Sequence, residues 1–184
     1  MWYRYSKAKY SDTKHSSVMI ALFLPDDAAK KIVLKPKDFQ EGSIERANAL
    51  HITLAMLGEA SALKDQKDTI MSALSTFAAI HHPIDGKISG IGRFNSEHGD
   101  EPYYASCDAP DLSSLREALV DELTRYGVSI ATDHGFTPHC TLGYLPEDEP
   151  TPSGNIPSFD VSFPCISIAW AGKRSDFDFK KEDN

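Results

Sequence analysis

The chain has 184 residues, of which 41% are hydrophobic and 25% are charged, and these proportions are typical of one globular domain with its own core. Lysine and arginine number 19 against 27 aspartate and glutamate, so the formal net charge is −8. This balance argues against a partner such as long nucleic acid, which needs a broad basic surface, but allows a small anionic ligand in a local pocket.

The first half of the chain predicts two strands and two helices behind a polar arm. A continuous apolar run has the length of a core strand, a proline with two aspartates suits a helix start, and apolar residues recur at helical spacing after Leu63. In chain order the elements are an arm at residues 1–16, a strand at Val18–Leu24, a helix from Pro25 to about Leu34, a polar connection at Lys35–Ala47, a strand at Leu50–Leu57 and a helix over about 62–80.

The second half predicts four strands around one strong helix, with turn-rich loops between them. They are strands at Ile84–Phe94 and Tyr103–Cys107, a helix at Asp111–Tyr126, a strand at Phe136–Leu145 and a closing strand at Phe159–Trp170, in which Pro164 suits a bulge. Strands mixed with two main helices predict an α+β protein, and a strand with a His-x-Thr sequence after a helical stretch in each half indicates two similar lobes. We expect residues 1–184 to form a single domain with its core at 17–170 and a tail at 171–184.

The cysteines and the first apolar run indicate the compartment. Three cysteines, Cys107, Cys140 and Cys165, form no C-x-x-C pair, which favours reduced thiols in a cytoplasm over a disulfide framework. The run Val18–Leu24 is followed at once by Pro25 and two aspartates, so it predicts a buried strand rather than a signal peptide. No apolar stretch reaches the length of a membrane span. We therefore expect a cytoplasmic protein without a membrane partner.

Two segments of the chain read alike. HITLAML begins at His51 and HCTLGYL at His139, and both follow the pattern His-x-Thr-Leu-x-x-Leu. Side chains in a strand alternate faces, so His51 and Thr53 point the same way, as do His139 and Thr141. We call these four residues the quartet. A single His-x-Thr in a strand is common by chance, but two of them with leucine at the same later positions favour one shared site.

Strict alternation also makes predictions for the rest of each motif. It places the small residues Ala55 and Gly143 next on the quartet face, where they would leave open space. It places Tyr144 in the core with Cys140 and Leu142, and stacking of Tyr144 on a nucleobase is the alternative.

The quartet suits the cleavage of a phosphodiester. A neutral imidazole takes a proton from the attacking hydroxyl or water, while a protonated imidazole gives one to the leaving oxygen. A histidine pKa of about 6.5 makes both forms available near neutral pH. Threonine hydroxyls donate hydrogen bonds to the non-bridging oxygens, where charge builds up. The sequence contains no H-E-x-x-H, His-x-His or cysteine pair, so we expect neither a metal nor a cofactor.

On these residues the chain resembles the 2H phosphoesterase superfamily, whose hallmark is two H-x-[ST]-h motifs in which h is hydrophobic. HITL and HCTL match that hallmark. The opening VMIALFLP is similar to the first strand of the LigT-like branch, and GFTPHCTLGYL resembles its second motif. The similarity covers about Val18 to Trp170. MWYRY, SGIGRF and YASCDAPDL further resemble versions carried by bacteriophages, sometimes attached to virion proteins.

The resemblance implies a bilobal fold with two pseudo-symmetric sheet-plus-helix lobes around a central cleft. It also implies metal-independent hydrolysis of a 2′,3′-cyclic phosphate or of a small, often cyclic, oligonucleotide, such as the cyclic nucleotide signals of bacterial immunity. His51 and His139 carry over as the acid/base pair, and Thr53 and Thr141 as phosphate ligands. The alternatives are a 2′-5′ RNA ligase-type transfer and a non-catalytic, virion-associated module that binds nucleotides.

Three further residues are predicted to contact the substrate. Phe23 on the first strand and Trp170 at the end of the last could flank a nucleobase, and Arg174 could reach a phosphate. Trp170 shares parity with Ile166 and Ile168, so burial is its alternative, and an exposed turn charge is the alternative for Arg174. The expected partner is a small nucleotide or short oligonucleotide, bound by a monomer.

Overall fold

A computed structural model describes residues 9–10, 16–32, 42–96, 99–130, 135–151 and 156–181. Within these ranges the strands are β1 Lys9–Tyr10, β2 Ser17–Phe23, β3 Ser43–Ile44, β4 His51–Glu59, β5 Ile84–Arg93, β6 Glu101–Asp108, β7 His139–Leu145, β8 Phe159–Phe163, β9 Cys165–Trp170 and β10 Lys173–Asp178. The helices are α1 Asp26–Ala29, α2 Lys67–Ile80 and α3 Leu112–Arg125, and short 3-10 turns lie at Ala47–Ala49 and Lys64–Gln66.

The strands of the described ranges form one sheet, in which eight strands follow the order β10-β9-β2-β4-β7-β6-β5-β8. Neighbours in this order are antiparallel. β3 pairs with β7 and, in parallel, with β1. The order is symmetric about the junction of β4 and β7, since each of these strands carries one His-x-Thr motif and has three further strands outside it. The predicted α+β fold with two similar halves is confirmed.

The two long helices cover one face of this sheet. α2 and α3 contact each other, and α2 also contacts β9 and β10. α3 buries Leu112, Leu115, Leu119 and Leu123, which recur every three or four residues along one stripe. Complete burial of each such leucine stabilises the fold by roughly 2 kcal/mol. The helices thus take one face of the sheet for the core and leave the other for the quartet.

The strand β4 contains a β-bulge just after its His-x-Thr motif. Ile20 of β2 pairs with Ala55, and the next residue, Ala21, pairs with Thr53. Leu54 is therefore the extra residue of β4, opposed by no residue of β2. Leu54 and Ala55 are both buried in the core cluster, so the alternation of faces shifts by one residue at this point.

The strand β7 repeats this bulge at the equivalent position. Tyr103 of β6 pairs with Gly143, and the adjacent Tyr104 pairs with Thr141. Leu142 is the extra residue and is fully buried, as is Tyr103. A Cβ atom on Gly143 would lie 2.8 Å from the Tyr103 ring, so Gly143 also faces the core.

The bulges overturn the strict alternation predicted for both motifs. Ala55 and Gly143 lie on the core face and leave no open space beside the quartet. Their successors Met56 and Tyr144 lie on the quartet face instead, where they are 48% and 37% exposed. The prediction of a buried Tyr144 was wrong, because the extra residue in β7 turns its side chain to the opposite side of the sheet.

Gly143 is small because another strand crosses it closely. A Cβ atom at this position would overlap the carbonyl oxygen of Ser43 in β3. We expect Gly143→Ala to lower the free energy of unfolding by about 2 kcal/mol, since β3 must move away from β7. Urea denaturation measures this change.

The control is Ala55→Gly at the equivalent position of the first motif. Its methyl group is buried in the core, so we expect a smaller loss of about 1 kcal/mol. An unfolding midpoint of Gly143→Ala equal to that of the wild type would contradict the close approach of β3.

The predicted closing strand is in fact two strands in different halves of the sheet. Pro164 separates β8, which pairs with β5, from β9, which pairs with β2. One residue spans only about 3.5 Å, so the end of β8 and the start of β9 are close although they are far apart in the strand order. The sheet therefore curls into a half-barrel. An apolar run with an internal proline does not reveal that its two parts have different partners.

The core continues beyond Trp170, where the sequence predicted a tail. β10 pairs with β9 along its whole length. Phe179 is buried, and the backbone N–H of Lys180 donates to the carbonyl oxygens of Ala78 and His81 at the end of α2. Residues up to 180 therefore belong to the fold.

Near the N-terminus the first helix is shorter than predicted. α1 ends at Ala29, residues 30–32 are not helical, and the last part of the expected helix, at residues 33–34, lies outside the described residues. Of the predicted arm at residues 1–16, only the strand β1 and Ser16 are described. Among the helices of the described ranges, none is long and apolar enough to cross a membrane.

Candidate active site

The register between β4 and β7 brings the two motifs together. Ile52 pairs with Cys140 in an antiparallel arrangement. One step to either side, the histidine of each strand therefore stands opposite the threonine of the other. Opposite side chains have Cβ atoms about 5 Å apart and diagonal ones about 7 to 8 Å. The two imidazoles lie across this diagonal, which leaves room for a phosphate among the four side chains.

Both imidazoles are oriented by the same hydrogen bond. Nδ1 of His51 donates to the carbonyl oxygen of Ala49 at 2.6 Å, and Nδ1 of His139 donates to that of Thr137 at 2.6 Å. A carbonyl oxygen only accepts, so Nδ1 carries the hydrogen in both rings. The exchangeable proton of each imidazole then belongs to Nε2. The two halves thus present their histidines in the same tautomer and through the same local geometry.

Phe23 and Arg174, both predicted to contact the substrate, lie together beside His51. Phe23 stands opposite His51 in the β2–β4 register, with ring centroids 5.2 Å apart. The guanidinium carbon of Arg174 lies 4.2 Å from the Phe23 ring centroid, a cation–π contact. Arg174 Nε also donates to the carboxylate of Asp176, as does the hydroxyl of Ser167 at 2.6 Å. This chain of contacts fixes a positive charge at one side of the quartet.

Asp176 is an anion that orients Arg174. Burial alone would raise the pKa of Asp176, but hydrogen bonds from Arg174 and Ser167 and the charge of Arg174 outweigh it and lower the pKa. The carboxylate therefore remains ionised at neutral pH. Since its pKa is depressed in the folded state, Asp176 contributes its full stability above its unfolded-state pKa, and this contribution is lost as the pH falls through the lowered pKa of the folded state.

On the opposite side of the quartet, His139 contacts two stacked aromatic rings. Phe94 and Tyr104 stack with centroids 4.3 Å apart, and their centroids lie 4.8 and 5.2 Å from that of the His139 ring. A side chain at Gly92 would overlap the Tyr104 ring, so this glycine makes room for the stack. Sequence reasoning missed Phe94, because its position next to Tyr104 depends on the β5–β6 register.

The structure places Trp170 away from the quartet. It stands opposite the buried Val18, on the face that carries the helices. Its ring is partly buried against the core, with Nζ of Lys67 in α2 at 5.2 Å from its centroid. Its parity with Ile166 and Ile168 thus places Trp170 on the core side, where it is partly buried, and Trp170 takes no further part in the site.

The cysteine inside the second motif is not a nucleophile. Burial raises the pKa of the Cys140 thiol to about 12, and burial and the nearby Asp108 raise that of Cys107 to about 11. Both thiols remain protonated at neutral pH, and only the thiolate is reactive. Cys140 is therefore excluded as the reactive group of the motif, which leaves its histidine and threonine as candidates.

Comparisons with known proteins bear on the whole arrangement. Residues 25–159 match the family model described as the 2′-5′ RNA ligase superfamily. Among curated protein sequences, none matches the chain.

Three solved structures share the fold at low sequence identity. Escherichia coli LigT in its apo form is 17% identical with a TM-score of 0.62, over 90% of this chain and 98% of LigT. LigT complexed with 3′-AMP is 20% identical with a TM-score of 0.58, over 90% and 95%. TT0787 of Thermus thermophilus is 21% identical with a TM-score of 0.59, over 83% and 86%.

Proposed function

Since the chain belongs to the 2′-5′ RNA ligase superfamily, we propose that it is a metal-independent phosphodiesterase that cleaves a 2′,3′-cyclic phosphate or a small cyclic oligonucleotide. The predicted membership of the 2H phosphoesterase superfamily is confirmed. Members of this superfamily act on phosphodiester bonds. The observation that carries the proposal is the antiparallel pairing of the two strands with His-x-Thr motifs. In each strand Nδ1 of the histidine donates to a backbone carbonyl oxygen.

The two imidazoles supply both proton transfers of the reaction. One of them, neutral, accepts at Nε2 the proton of the attacking water or hydroxyl. As the attacking oxygen bonds to phosphorus, the P–O bond to the leaving oxygen breaks. The other imidazole, protonated, donates a proton from Nε2 to that leaving oxygen. The geometry is the same for both histidines, so the direction in which the substrate lies decides which is the base.

The threonines stabilise the negative charge that develops on the non-bridging phosphate oxygens. Thr53 and Thr141 are half-buried on the quartet face, one beside each histidine. Their hydroxyls donate to the non-bridging oxygens, which gain charge in the transition state. This role needs donors already held in place, and strand backbones hold both residues.

The surroundings of the quartet support a short substrate. Arg174 provides a fixed positive charge beside His51, and the Phe94–Tyr104 stack provides an aromatic surface beside His139. A base that stacks on such a surface contributes roughly 1 to 3 kcal/mol of binding. The net charge of −8 disfavours long nucleic acid. The complex of E. coli LigT with 3′-AMP is in keeping with a small nucleotide.

A 2′-5′ RNA ligase-type transfer is the second candidate, and the family description favours it. It would use the same acid/base pair with a ribose hydroxyl as the attacking group. It must seat two RNA ends, and the acidic surface makes that less favourable. For the biological setting we propose a bacteriophage enzyme, free or virion-associated, that removes cyclic nucleotide immune signals, on the basis of the segments MWYRY and SGIGRF.

A turnover screen in EDTA tests the proposal. The substrates are nucleoside 2′,3′-cyclic phosphates, cyclic di- and trinucleotides, and linear dinucleotides with 2′-5′ or 3′-5′ linkages. We expect turnover that EDTA does not reduce, with a bell-shaped pH dependence because one histidine must be neutral and the other protonated.

Three results would replace the proposal with another function. Turnover that EDTA abolishes would contradict a metal-independent reaction. Joined products from RNA ends would favour the ligase. Nucleotide binding without turnover on any substrate would favour the non-catalytic binding module.

A further inference from the structure

Each β-bulge presents a carbonyl oxygen that an outside donor satisfies. In β7 this oxygen belongs to Leu142 and accepts the backbone N–H of Glu45 at 2.8 Å. In β4 the equivalent oxygen belongs to Leu54 and accepts Nε of Arg116 at 3.0 Å. The two halves therefore satisfy this oxygen differently: the donor is the backbone of the residue after β3 in one half and a helix side chain in the other.

Arg116 also contacts the segment that leads into the second motif. It lies on α3, and its guanidinium carbon is 4.8 Å from the centroid of the Phe136 ring. The residue after Phe136 is Thr137, whose carbonyl oxygen accepts the hydrogen bond from His139 Nδ1. One side chain thus touches the bulge beside Thr53 and the segment that orients His139.

The junction that Arg116 spans is otherwise short. Among the described residues, the register between β4 and β7 consists of the pair Ile52–Cys140. Further along β7, its edge pairs with β3 at Gly143 and Tyr144. A short ladder leaves the distance between the two strands sensitive to side-chain contacts around it.

We propose that Arg116 is a positioning residue that sets the separation of the two catalytic halves. This inference rests on the proposed function and adds to the proposed site a residue outside the two motifs. The guanidinium holds the bulge of β4 through Leu54 and the entry to β7 through Phe136. The four donors and acceptors of the quartet act on one phosphate, so a shift of about 1 Å between the strands can cost on the order of a hundredfold in rate.

Kinetics of three variants test this role. We expect Arg116→Ala to lower kcat by about thirtyfold and to change KM by less than about threefold, because substrate contacts stay and their alignment is lost. Arg116→Lys keeps a charged donor for the Leu54 carbonyl without the planar face for Phe136, so it should recover part of kcat. The control is Arg125→Ala on the same helix, where an exposed guanidinium pairs with Glu122; its kcat should equal that of the wild type.

Imidazole NMR separates a failure of this inference from a failure of the proposed function. If the wild type turns over no substrate, the proposed function is contradicted. The NMR signals of the His139 ring can still be measured. We expect them to shift in Arg116→Ala and not in Arg125→Ala, although Arg116 acts on His139 only through the preceding segment. If Arg116→Ala does not fold, Arg116→Lys and Phe136→Leu carry the same comparison. Unchanged His139 signals in the folded variants would overturn the inference, as would a wild-type kcat.

Discussion

His139→Ala is expected to lower kcat for the best substrate by about a thousandfold, and His51→Ala by a similar factor, because proton transfer by a positioned group contributes about 10² to 10⁴ in rate. In the proposed mechanism each histidine presents Nε2 to the substrate, while Nδ1 is held by a carbonyl oxygen. Neither can replace the other, since one must accept a proton as the other donates. Single-turnover rates in EDTA measure the loss directly.

The pH profile identifies the role that each histidine plays. A variant that lacks the base should lose the limb of the bell at low pH, and one that lacks the acid should lose the limb at high pH. His82→Ala serves as the control, because His82 is exposed and lies outside the quartet. A rate within threefold of the wild type in either quartet variant would exclude two-histidine catalysis.

Thr141→Val is expected to lower kcat by about a hundredfold, and Thr53→Val by a comparable factor. Valine keeps the shape and the strand preference of threonine but removes the hydroxyl that we propose donates to a non-bridging oxygen. The loss of one such donor typically costs about 10² to 10³ in rate. Both residues are half-buried on the strand surface, so the free energy of unfolding should change little.

Serine variants show whether the hydroxyl or the side-chain shape matters. Thr53→Ser and Thr141→Ser retain the donor, so they should keep most of the activity that valine removes. Equal losses for serine and valine would mean that the threonines pack rather than bind phosphate. Steady-state kinetics with a 2′,3′-cyclic phosphate distinguishes the two cases.

The quartet was predictable because it depends on two local facts. His51 and Thr53 are two residues apart in one strand, as are His139 and Thr141, and a spacing of two puts side chains on one face in any regular strand. The first leucine of each motif, Leu54 or Leu142, is buried as expected, whereas the burial of the second, Leu57 or Leu145, follows the bulge. Hydrophobic patterning predicted most elements in chain order, and the resemblance to a known family implied the roles of the four side chains.

The rest depends on how strands pair, which local patterns do not contain. Nothing in the letters of the motifs reveals the extra residue at Leu54 or at Leu142, so Tyr144 was placed on the wrong face. The contact of Phe94 with His139 requires β5, β6 and β7 to be in register. Pro164 was predicted as a bulge because an apolar run looks the same whether it continues one strand or enters another.

The passage through Pro164 has a consequence for how the protein is synthesised. β9 and β10 complete the half that contains β2 and β4, yet they come from the last part of the chain. During synthesis β2 and β4 therefore leave the ribosome before the two strands that complete their half of the sheet. Such long-range pairing slows folding and leaves unpaired strand edges exposed in the meantime. The second half, β5 to β8 with α3, is contiguous in sequence and can form first.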